Sequence, residues 1–338
     1  MKSKILMIQG TSSGAGKSLI VIALCRILSN LGYKVAPFKS QNMSSLLHVI
    51  DKSNRVIAKA QAIQAVASRV KPTPDMNPIL LKPVGNYESR VYVKGNYFDT
   101  MSAQQYYSEF VLAKGFQIAL DSFKTLQKEH EVILLEGAGS PAEINIQEYD
   151  IANMLFANKV KAPVILVSDI ERGGCFASIL GTIMLLEPKH QKLIKGIIIN
   201  KFLGDNKILS SAIQKIQNKT KKPVLGVVPK IEHAIPEEDS LDSNKKQRNK
   251  VKQLQLHRQD TESNERVKEK QKPRKDNLIT RKKQFQTENN TYPSNAKTNI
   301  APYQIFADQE ILEDEIQKFA NILESSINLE YILDKILK

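Results

Sequence analysis

Six short apolar runs recur along residues 1–235, and their hydrophobic positions are continuous rather than alternating. The runs are "KILMIQG", "KVAPFKS", "VILLEGA", "PVILVSD", "GIIINKF" and "PVLGVVP". Continuous Val, Ile and Leu are typical of strands that are buried on both faces of a parallel sheet. Helix-like segments, such as residues 17–31, separate the runs. The pattern predicts an α/β fold with a doubly wound, mostly parallel sheet, which binds its ligands at the carboxyl ends of the strands.

The pattern changes near Asp242. Residues 241–300 contain 16 Lys and Arg but only 7 Asp and Glu, so this segment carries +9 of the chain's net charge of +14. The segment has few large apolar residues, and it cannot bury enough surface to offset the entropy that ordering removes. We expect residues 242–300 to form a disordered basic linker. Because the basicity belongs to one segment and not to a folded face, the sequence does not favour a nucleic acid as partner.

Helical periodicity returns in residues 301–338. The apolar positions there are spaced for one or two amphipathic helices that dock on another surface. They are Ile311, Ile316, Phe319, Ile322, Leu323, Ile327, Leu329, Ile332 and Ile336. The sequence therefore predicts three regions, which are a folded domain over residues 1–241, a linker over 242–300 and a helical tail over 301–338.

Composition limits the cellular setting. The chain of 338 residues has only two cysteines, Cys25 and Cys175, and they lie far apart. That usage suits a reducing compartment and gives neither a disulfide framework nor the spacing of a zinc site. The apolar runs are shorter than a membrane-spanning helix, and the first residues lack the pattern of a secretory leader. We expect a cytoplasmic protein without a membrane span.

The stretch "GTSSGAGKS", residues 10–18, follows the first predicted strand and opens the first predicted helix. Glycines let the backbone approach phosphates, and the N–H groups at the start of the following helix face the anion. We expect Lys17 to reach the β- and γ-phosphates of ATP, and Ser18 to bind Mg²⁺. The loop residues predicted to hold ATP are Gly10, Thr11, Gly14, Ala15, Gly16, Lys17 and Ser18. Five residues separate Gly10 from Gly16, one more than in the common P-loop.

Polar residues also follow several of the other predicted strands. Glu136 ends "VILLE" and offers a second ligand for Mg²⁺. Lys39, in "APFKSQNMS", places a cation near the transferred phosphoryl group, and Asn200, in "IIINKF", is placed to read the adenine ring. We predict that Lys17, Lys39 and Glu136 are the catalytic residues. The residues predicted to contact the substrate are Gln41, Asn42, Asp75, Asn77, Lys82, Asp169 and Arg172.

Taken together, these motifs resemble those of cobyric acid synthase. The segments "GTSSGAGKS", "PFKSQNMS", "AQAIQA", "DMNPILLKP", "EGAGSPAEIN", "DIANM", "DIERGG", "NKF" and "PEEDSL" follow the family's order and spacing over about residues 1–241. The resemblance implies a P-loop amidoligase that uses ATP to convert cobyrinic acid a,c-diamide, commonly in its adenosyl form, to cobyric acid. It also implies that four carboxylates of the corrin ring are amidated, each through an acyl phosphate.

The chain departs from the family in two respects, of which the smaller is Glu171, where the family more often has Asp before Arg-Gly-Gly. Family members usually continue into a glutaminase domain, whose chemistry needs a cysteine nucleophile with a histidine base. This chain has no cysteine after Cys175, and we therefore expect no glutaminase within it. Two nitrogen sources stay open, which are free ammonia and a separate glutaminase subunit. Assembly as a homodimer also stays open.

Other functional classes share the loop and the sheet. One is a ligase like dethiobiotin synthetase, which is shorter and does not account for "DMNP" and "SPAEIN". Another is an ATPase switch like MinD or ParA, whose basic linker would bind DNA or an anionic membrane. Such switches usually carry a lysine early in the loop, where this chain has Thr11, Ser12 and Ser13. The remaining alternative is a scaffold that only holds a glutaminase.

Overall fold

The computed structural model describes residues 3–235 and 309–337 of the chain. Both described ranges belong to one compact unit. The predicted domain boundaries near residues 241 and 300, and the predicted linker between them, lie outside the described residues and stay predictions.

Twelve strands and ten helices are labelled here in chain order. The strands are β1 (Lys4–Gly10), β2 (Val35–Phe38), β3 (Gln41–Met43), β4 (Leu47–Val49), β5 (Val56–Ala58), β6 (Ile79–Gly85), β7 (Glu88–Val93), β8 (Asn96–Ser102), β9 (Val132–Glu136), β10 (Val164–Asp169), β11 (Ile194–Phe202) and β12 (Val224–Pro229). The helices are α1 (Lys17–Asn30), α2 (Lys59–Ala67), α3 (Ala103–Gln105), α4 (Phe116–Glu129), α5 (Met154–Val160), α6 (Cys175–Leu185), α7 (Pro188–Gln191), α8 (Ser210–Thr220), α9 (Gln309–Ser326) and α10 (Leu329–Tyr331). Within the described ranges, none of these helices combines the length and the apolar character that crossing a membrane requires.

A six-stranded parallel sheet forms the centre of the unit, in the order β12–β11–β10–β1–β9–β2. All six apolar runs of the sequence are strands of this sheet, so the predicted doubly wound α/β fold is confirmed. Successive side chains of a strand point to opposite faces: Leu6 and Leu134 pack with α1, whereas Met7 and Leu135 pack with α4. Because the strands are parallel, their carboxyl ends lie along one edge, where the candidate residues follow them.

A second sheet is inserted between β2 and β9. Its order is β3–β6–β7–β8, and β6, β7 and β8 form two antiparallel hairpins. The hairpin turns are Asn86–Tyr87 and Lys94–Gly95, and all four residues have positive φ. Two such residues in a two-residue turn match the twist of the flanking strands. The strand–helix alternation seen in the sequence did not predict this sheet, although the Lys-Gly pair is a turn signal.

The predicted helical tail is present as α9 and α10. Helix α9 packs on α1, and its buried apolar side chains are Ile311, Leu312, Ile316, Phe319, Ala320 and Leu323. After α9, the Asn328 N–H donates to the Leu225 carbonyl at 2.7 Å, and Ile327 forms an antiparallel bridge with Gly226. A Cβ atom on Gly226 would lie 2.2 Å from the Ser326 carbonyl oxygen, so this crossing of α9 over β12 needs glycine.

A buried arginine ties the tail to the rest of the unit. The Arg26 guanidinium on α1 is 3% exposed and pairs with the Glu313 carboxylate of α9. The same Nη2 atom donates to the Val66 carbonyl of α2 at 3.4 Å. A buried charge needs a partner of this kind, since leaving it unpaired costs several kcal/mol. Helices α1, α2 and α9 are therefore joined at one point.

The packing of α9 generates a stability prediction. Ile316 of α9 is fully buried against the core. Replacing it by Ala removes apolar contacts and leaves a cavity. We expect Ile316→Ala to lower the free energy of unfolding by about 2–5 kcal/mol, measured by urea denaturation. The exposed Glu324 on the same helix provides the control, because Glu324→Ala should change that free energy by less than about 0.5 kcal/mol. Equal effects of the two variants would contradict the packing of α9 on the core.

Candidate functional site

A buried carboxylate lies at the centre of the candidate site. Glu136 is the last residue of β9 and is 1% exposed. Its Oε1 atom accepts hydrogen bonds from the Ser18 hydroxyl at 2.7 Å and from the Lys39 ammonium at 3.0 Å. Its Oε2 atom accepts from the side-chain amides of Gln64 and, at 3.5 Å, of Gln61. Both oxygens of this buried carboxylate therefore have hydrogen-bond partners, and a cation lies beside Oε1.

The P-loop has the shape of an anion cradle. Gly14 and Gly16 have φ values of 69° and 93°, which glycine adopts without strain. Helix α1 begins directly after them, with no acidic residue in its first turn. The Lys17 ammonium bends back over the loop and donates to the carbonyls of Ser12 and Gly139, each at 3.0 Å. Loop and helix start therefore offer positive charge and backbone donors at one place.

Lys39 is held by backbone contacts on the chain that follows β2. Its N–H donates to the Met76 carbonyl at 2.9 Å, and its own carbonyl accepts from the Asn77 amide at 3.1 Å. The Asn77 amide nitrogen also donates to the Ile79 carbonyl, while its oxygen accepts from the Ala58 N–H. The amide of Asn77 is thus committed to backbone atoms. The structure gives Asn77 a scaffolding role behind Lys39, and its predicted contact with the substrate stays a prediction.

A cleft of about 460 Å³ opens beside Glu136 and the P-loop. The polar and glycine residues that line it are Ser13, Gly14, Gly16, Lys17, Ser18, Lys39, Asn42, Glu136, Gly139, Arg172, Lys201 and His233. The predicted catalytic residues Lys17, Lys39 and Glu136 therefore share one cleft. Two predicted substrate residues, Asn42 and Arg172, reach the same cleft. Arg172 is exposed to solvent there, whereas the Asn42 amide donates to the Gln61 side chain at 2.9 Å.

Other predicted substrate residues lie in the walls behind this cleft or away from it. The Gln41 side chain accepts a hydrogen bond from the Tyr106 hydroxyl at 2.9 Å. Asp75 forms an ion pair with Lys94 at 3.2 Å. Lys82 lies on β6, within the inserted sheet, opposite its register partner in β7. Gln41, Asp75 and Lys82 are not among the described residues that line the cleft.

Asn200, which was predicted to contact the adenine ring, and Asp169, which was predicted to contact the substrate, lie against the outside of the P-loop. The Asn200 amide nitrogen donates to the Ala15 carbonyl at 2.9 Å. Asp169, at the end of β10, accepts from the Lys201 ammonium at 3.0 Å. Lys201 in turn donates to the Gly14 carbonyl at 2.7 Å. In this structure Asp169 pairs with Lys201 and Asn200 contacts the loop backbone, and their predicted contacts with substrate and adenine stay predictions.

Thr11 and Gly10 are further loop residues with clear structural roles. The Thr11 hydroxyl shares a hydrogen bond of 3.0 Å with the Ser168 hydroxyl on β10. A Cβ atom on Gly10 would lie 3.1 Å from the Lys17 side chain. Gly10 thus leaves room for Lys17 to fold back over the loop, and Thr11 fixes the loop to the neighbouring strand.

Two glutamines of α2 were missed by the sequence analysis as site residues. Gln61 and Gln64 are buried and both direct their amides to Glu136. They are three residues apart, which places them on the same face of a helix. The sequence does place two amides on one face of the otherwise apolar "AQAIQA" helix. Because buried amides need hydrogen-bond partners, this pattern could have indicated a polar group facing them.

The loop after β9 is fixed by a pair of residues from the "DIANM" stretch. Burial raises the pKa of Asp150 to about 6. Its carboxylate accepts from the Asn153 amide at 2.9 Å, and the same nitrogen donates to the Ala138 carbonyl at 2.6 Å. Asp150 and Asn153 therefore hold the loop that carries Gly139, the residue whose carbonyl binds Lys17.

Neither cysteine is prepared for nucleophilic chemistry. Burial raises the pKa of Cys25 to about 12, and burial also raises the pKa of Cys175. Because the thiolate is the nucleophilic form of cysteine, both thiols are protonated at neutral pH. The reactive groups that line the cleft are therefore its lysines, the hydroxyls of Ser13 and Ser18, the Glu136 carboxylate and the His233 imidazole.

Comparison with known proteins agrees with this arrangement. Residues 6–241 match the family model described as CbiA, the CobQ/CobB/MinD/ParA nucleotide binding domain. The chain is 52% identical over 238 residues to a probable cobyric acid synthase from Thermococcus kodakarensis, covering 70% of this chain and 49% of that protein. It is 53% identical over 240 residues to the cobyric acid synthase of Thermodesulfovibrio yellowstonii, covering 71% and 48%.

A third relative, the cobyric acid synthase of Rippkaea orientalis, is 48% identical over 238 residues, with coverage of 70% and 48%. The chain thus spans about half the length of the curated relatives it matches. Among solved structures, the signal recognition particle receptor FtsY from Elizabethkingia anophelis, in complex with GDP, shares 14% identity over 68% of this chain and 57% of that chain, with a TM-score of 0.40. The family match covers most of the chain, and the chain belongs to the CobQ/CobB/MinD/ParA nucleotide binding domain family.

Proposed function

We propose that the chain is an ATP-dependent ligase that amidates side-chain carboxylates of a corrin ring, converting cobyrinic acid a,c-diamide to cobyric acid. The observation that carries the proposal is the buried Glu136 carboxylate held between Ser18 of the P-loop and Lys39, in a cleft that Lys17 also lines. Relatives at 48–53% identity that are named cobyric acid synthases support the choice of substrate.

The reaction has two balanced steps. In the first, a substrate carboxylate oxygen attacks the γ-phosphorus of ATP, the bond to the ADP oxygen breaks, and an acyl phosphate forms. In the second, ammonia attacks the acyl carbon, the bond to the phosphate oxygen breaks, and the nitrogen loses a proton to leave the amide and inorganic phosphate. Neither step needs a covalent bond to the protein, in keeping with the two protonated thiols.

The chain contributes positioning and charge to these steps. Lys17 and the N-terminus of α1 would bind the phosphates, where donors fixed in advance stabilise the charge that develops during transfer. Lys39, beside Glu136, would bring a second cation to the transferred phosphoryl group. Asn42 and Arg172, on the cleft wall, would orient the carboxylate that is to be amidated.

The donor set fits a magnesium ion. The Ser18 hydroxyl and the Glu136 carboxylate are adjacent oxygen ligands of the hard type that Mg²⁺ prefers. The described residues contain no group of three or more His, Cys, Asp or Glu that could hold a metal by themselves. ATP oxygens and water would therefore complete the ligand set, as is usual for Mg²⁺ at phosphate sites. When bound, the ion would neutralise charge on the phosphate oxygens.

The first test is mass spectrometry of cobyrinic acid a,c-diamide incubated with the chain, Mg²⁺, ATP and either ammonium or glutamine. We expect up to four successive decreases in mass with ammonium, because each amidation replaces OH by NH₂. Amidation with glutamine only after a separate glutaminase is added would identify a partner subunit as nitrogen source.

Two further measurements separate the alternatives. No change in mass, combined with phosphate release stimulated by diaminopelargonic acid plus bicarbonate, would favour a ligase like dethiobiotin synthetase. ATP-dependent dimers with steeply salt-sensitive DNA binding would instead favour a switch like MinD or ParA. Either result would overturn the proposed activity.

The Lys17 variant tests the assignment of the P-loop. We expect Lys17→Ala to lower the amidation rate roughly 100- to 1,000-fold, which is typical of removing one preorganised donor to a developing charge. Circular dichroism should show the same fold. Lys124→Ala, on the exposed side of α4, should keep the full rate. Unchanged amidation by Lys17→Ala would refute the P-loop assignment.

A second variant tests the metal ligand. Glu136→Gln keeps the shape of the side chain but removes its charge, so we expect the Mg²⁺ concentration for half-maximal activity to rise at least about tenfold. The measurement is a Mg²⁺ titration of the amidation rate at saturating ATP. Glu129→Gln, at the exposed end of α4, is the matched control. An identical Mg²⁺ dependence of Glu136→Gln and the wild type would contradict a role for Glu136 at the metal.

A further inference from the structure

Two consecutive side chains at the end of β11 bind two consecutive carbonyls of the P-loop. The Asn200 amide nitrogen donates to the Ala15 carbonyl at 2.9 Å, and the Lys201 ammonium donates to the Gly14 carbonyl at 2.7 Å. These contacts link residues that are more than 180 positions apart in the chain. They are made from the side of the loop that faces β11.

The backbone has unusual geometry on both sides of these contacts, at Gly16 in the loop and at Lys201 near the end of β11. A Cβ atom on Gly16 would lie 2.1 Å from the Asn200 amide nitrogen, so Gly16 is needed for the close approach as well as for its own positive φ. Lys201 itself has a φ of 62°, in the left-handed region that non-glycine residues rarely adopt. Such backbone persists only where surrounding contacts hold it.

Asp169 holds the lysine in place. Its carboxylate accepts from the Lys201 ammonium at 3.0 Å, and its side chain is only 10% exposed. Asp169 on β10 and Asn200 on β11 are register partners in the central sheet. The sheet therefore places the carboxylate, the amide and the ammonium side by side against the loop.

The consequence for the loop follows from the planarity of the peptide bond. In a trans peptide, the carbonyl and the N–H of the next residue point in opposite directions. Fixing the carbonyls of Gly14 and Ala15 toward β11 therefore fixes the N–H groups of Ala15 and Gly16 away from it. In a P-loop these backbone N–H groups are the donors that cradle the phosphates.

We propose that Asn200 and Lys201, with Asp169 behind them, are positioning residues that orient the P-loop amides toward the nucleotide phosphates. This inference rests on the proposed function only in requiring that the chain binds a nucleotide. It differs from the expectation that Asn200 reads the adenine ring, because orienting the amides affects every phosphate ligand equally, whatever base it carries.

The experiment measures dissociation constants for ATP, GTP and inorganic triphosphate by calorimetry, without corrinoid or ammonia. For Lys201→Met we expect all three constants to rise by a similar factor of about ten, equivalent to about 1.4 kcal/mol. Lys201→Arg, which keeps a long cationic donor, should recover most of the affinity. Lys221→Met is the matched control, because Lys221 also has a left-handed backbone but lies at the exposed end of α8.

Hydrogen exchange of the nucleotide-free protein adds a readout that direct contact with phosphate would not change. We expect peptides covering residues 10–18 to exchange faster in Lys201→Met and Asp169→Asn than in the wild type. Unchanged exchange and unchanged affinity for triphosphate in these variants would overturn the proposal. So would an Asn200→Ala variant that loses only the preference for ATP over GTP.

The outcomes separate this inference from the proposed function. A chain that binds ATP, shows these losses and amidates no corrinoid would refute the proposed activity and leave the positioning roles standing. A wild-type chain without affinity for ATP, GTP or triphosphate would overturn both.

Discussion

The burial of one carboxylate is the constraint on which the site depends. Glu136 is almost fully enclosed at the end of a central strand, where an unpaired charge would cost several kcal/mol. Its side-chain partners come from three separate parts of the chain: Ser18 from the start of α1, Lys39 from the chain after β2, and Gln61 and Gln64 from α2. Satisfying this one group brings the P-loop, the second lysine and α2 to fixed positions around the cleft.

The sequence predicted the parts of the molecule that follow from local pattern. The six apolar runs are short and rich in Val, Ile and Leu, which is typical of buried strands. The glycines before Lys17 predicted the P-loop because a phosphate cradle needs that backbone. The inserted sheet escaped prediction because it lies between two elements of a regular strand–helix alternation. The position of a polar residue directly after a strand predicts that it lies at the edge of the sheet, but it does not predict the residue's hydrogen-bond partner. Asn77 thus binds backbone atoms, and Asp169 binds Lys201, in ways that only the fold determines.

The C-terminal helix α9, although far from the P-loop in the chain, supports the helices that carry the site residues. The face of α1 that turns away from the sheet is covered by α9, and a surface helix with both faces apolar would otherwise expose them to water. Arg26 joins α1 to the Glu313 carboxylate of α9 and to the Val66 carbonyl of α2. The two helices that carry Ser18 and the glutamines of the site are therefore held against each other from behind. Residues 309–337 belong to the same folded unit as the P-loop.

The polar groups of the site are held in place by other groups of the protein. The P-loop carbonyls are engaged from the side of β11, Lys17 is engaged by Ser12 and Gly139, and Glu136 is surrounded by donors. Dipoles fixed in this way need no reorganisation when charge develops on a phosphoryl group, which is the main source of electrostatic stabilisation in such sites. A flexible glycine loop can therefore act as a rigid cradle, because side chains of β11 hold its carbonyls and the Gly139 carbonyl after β9 holds Lys17.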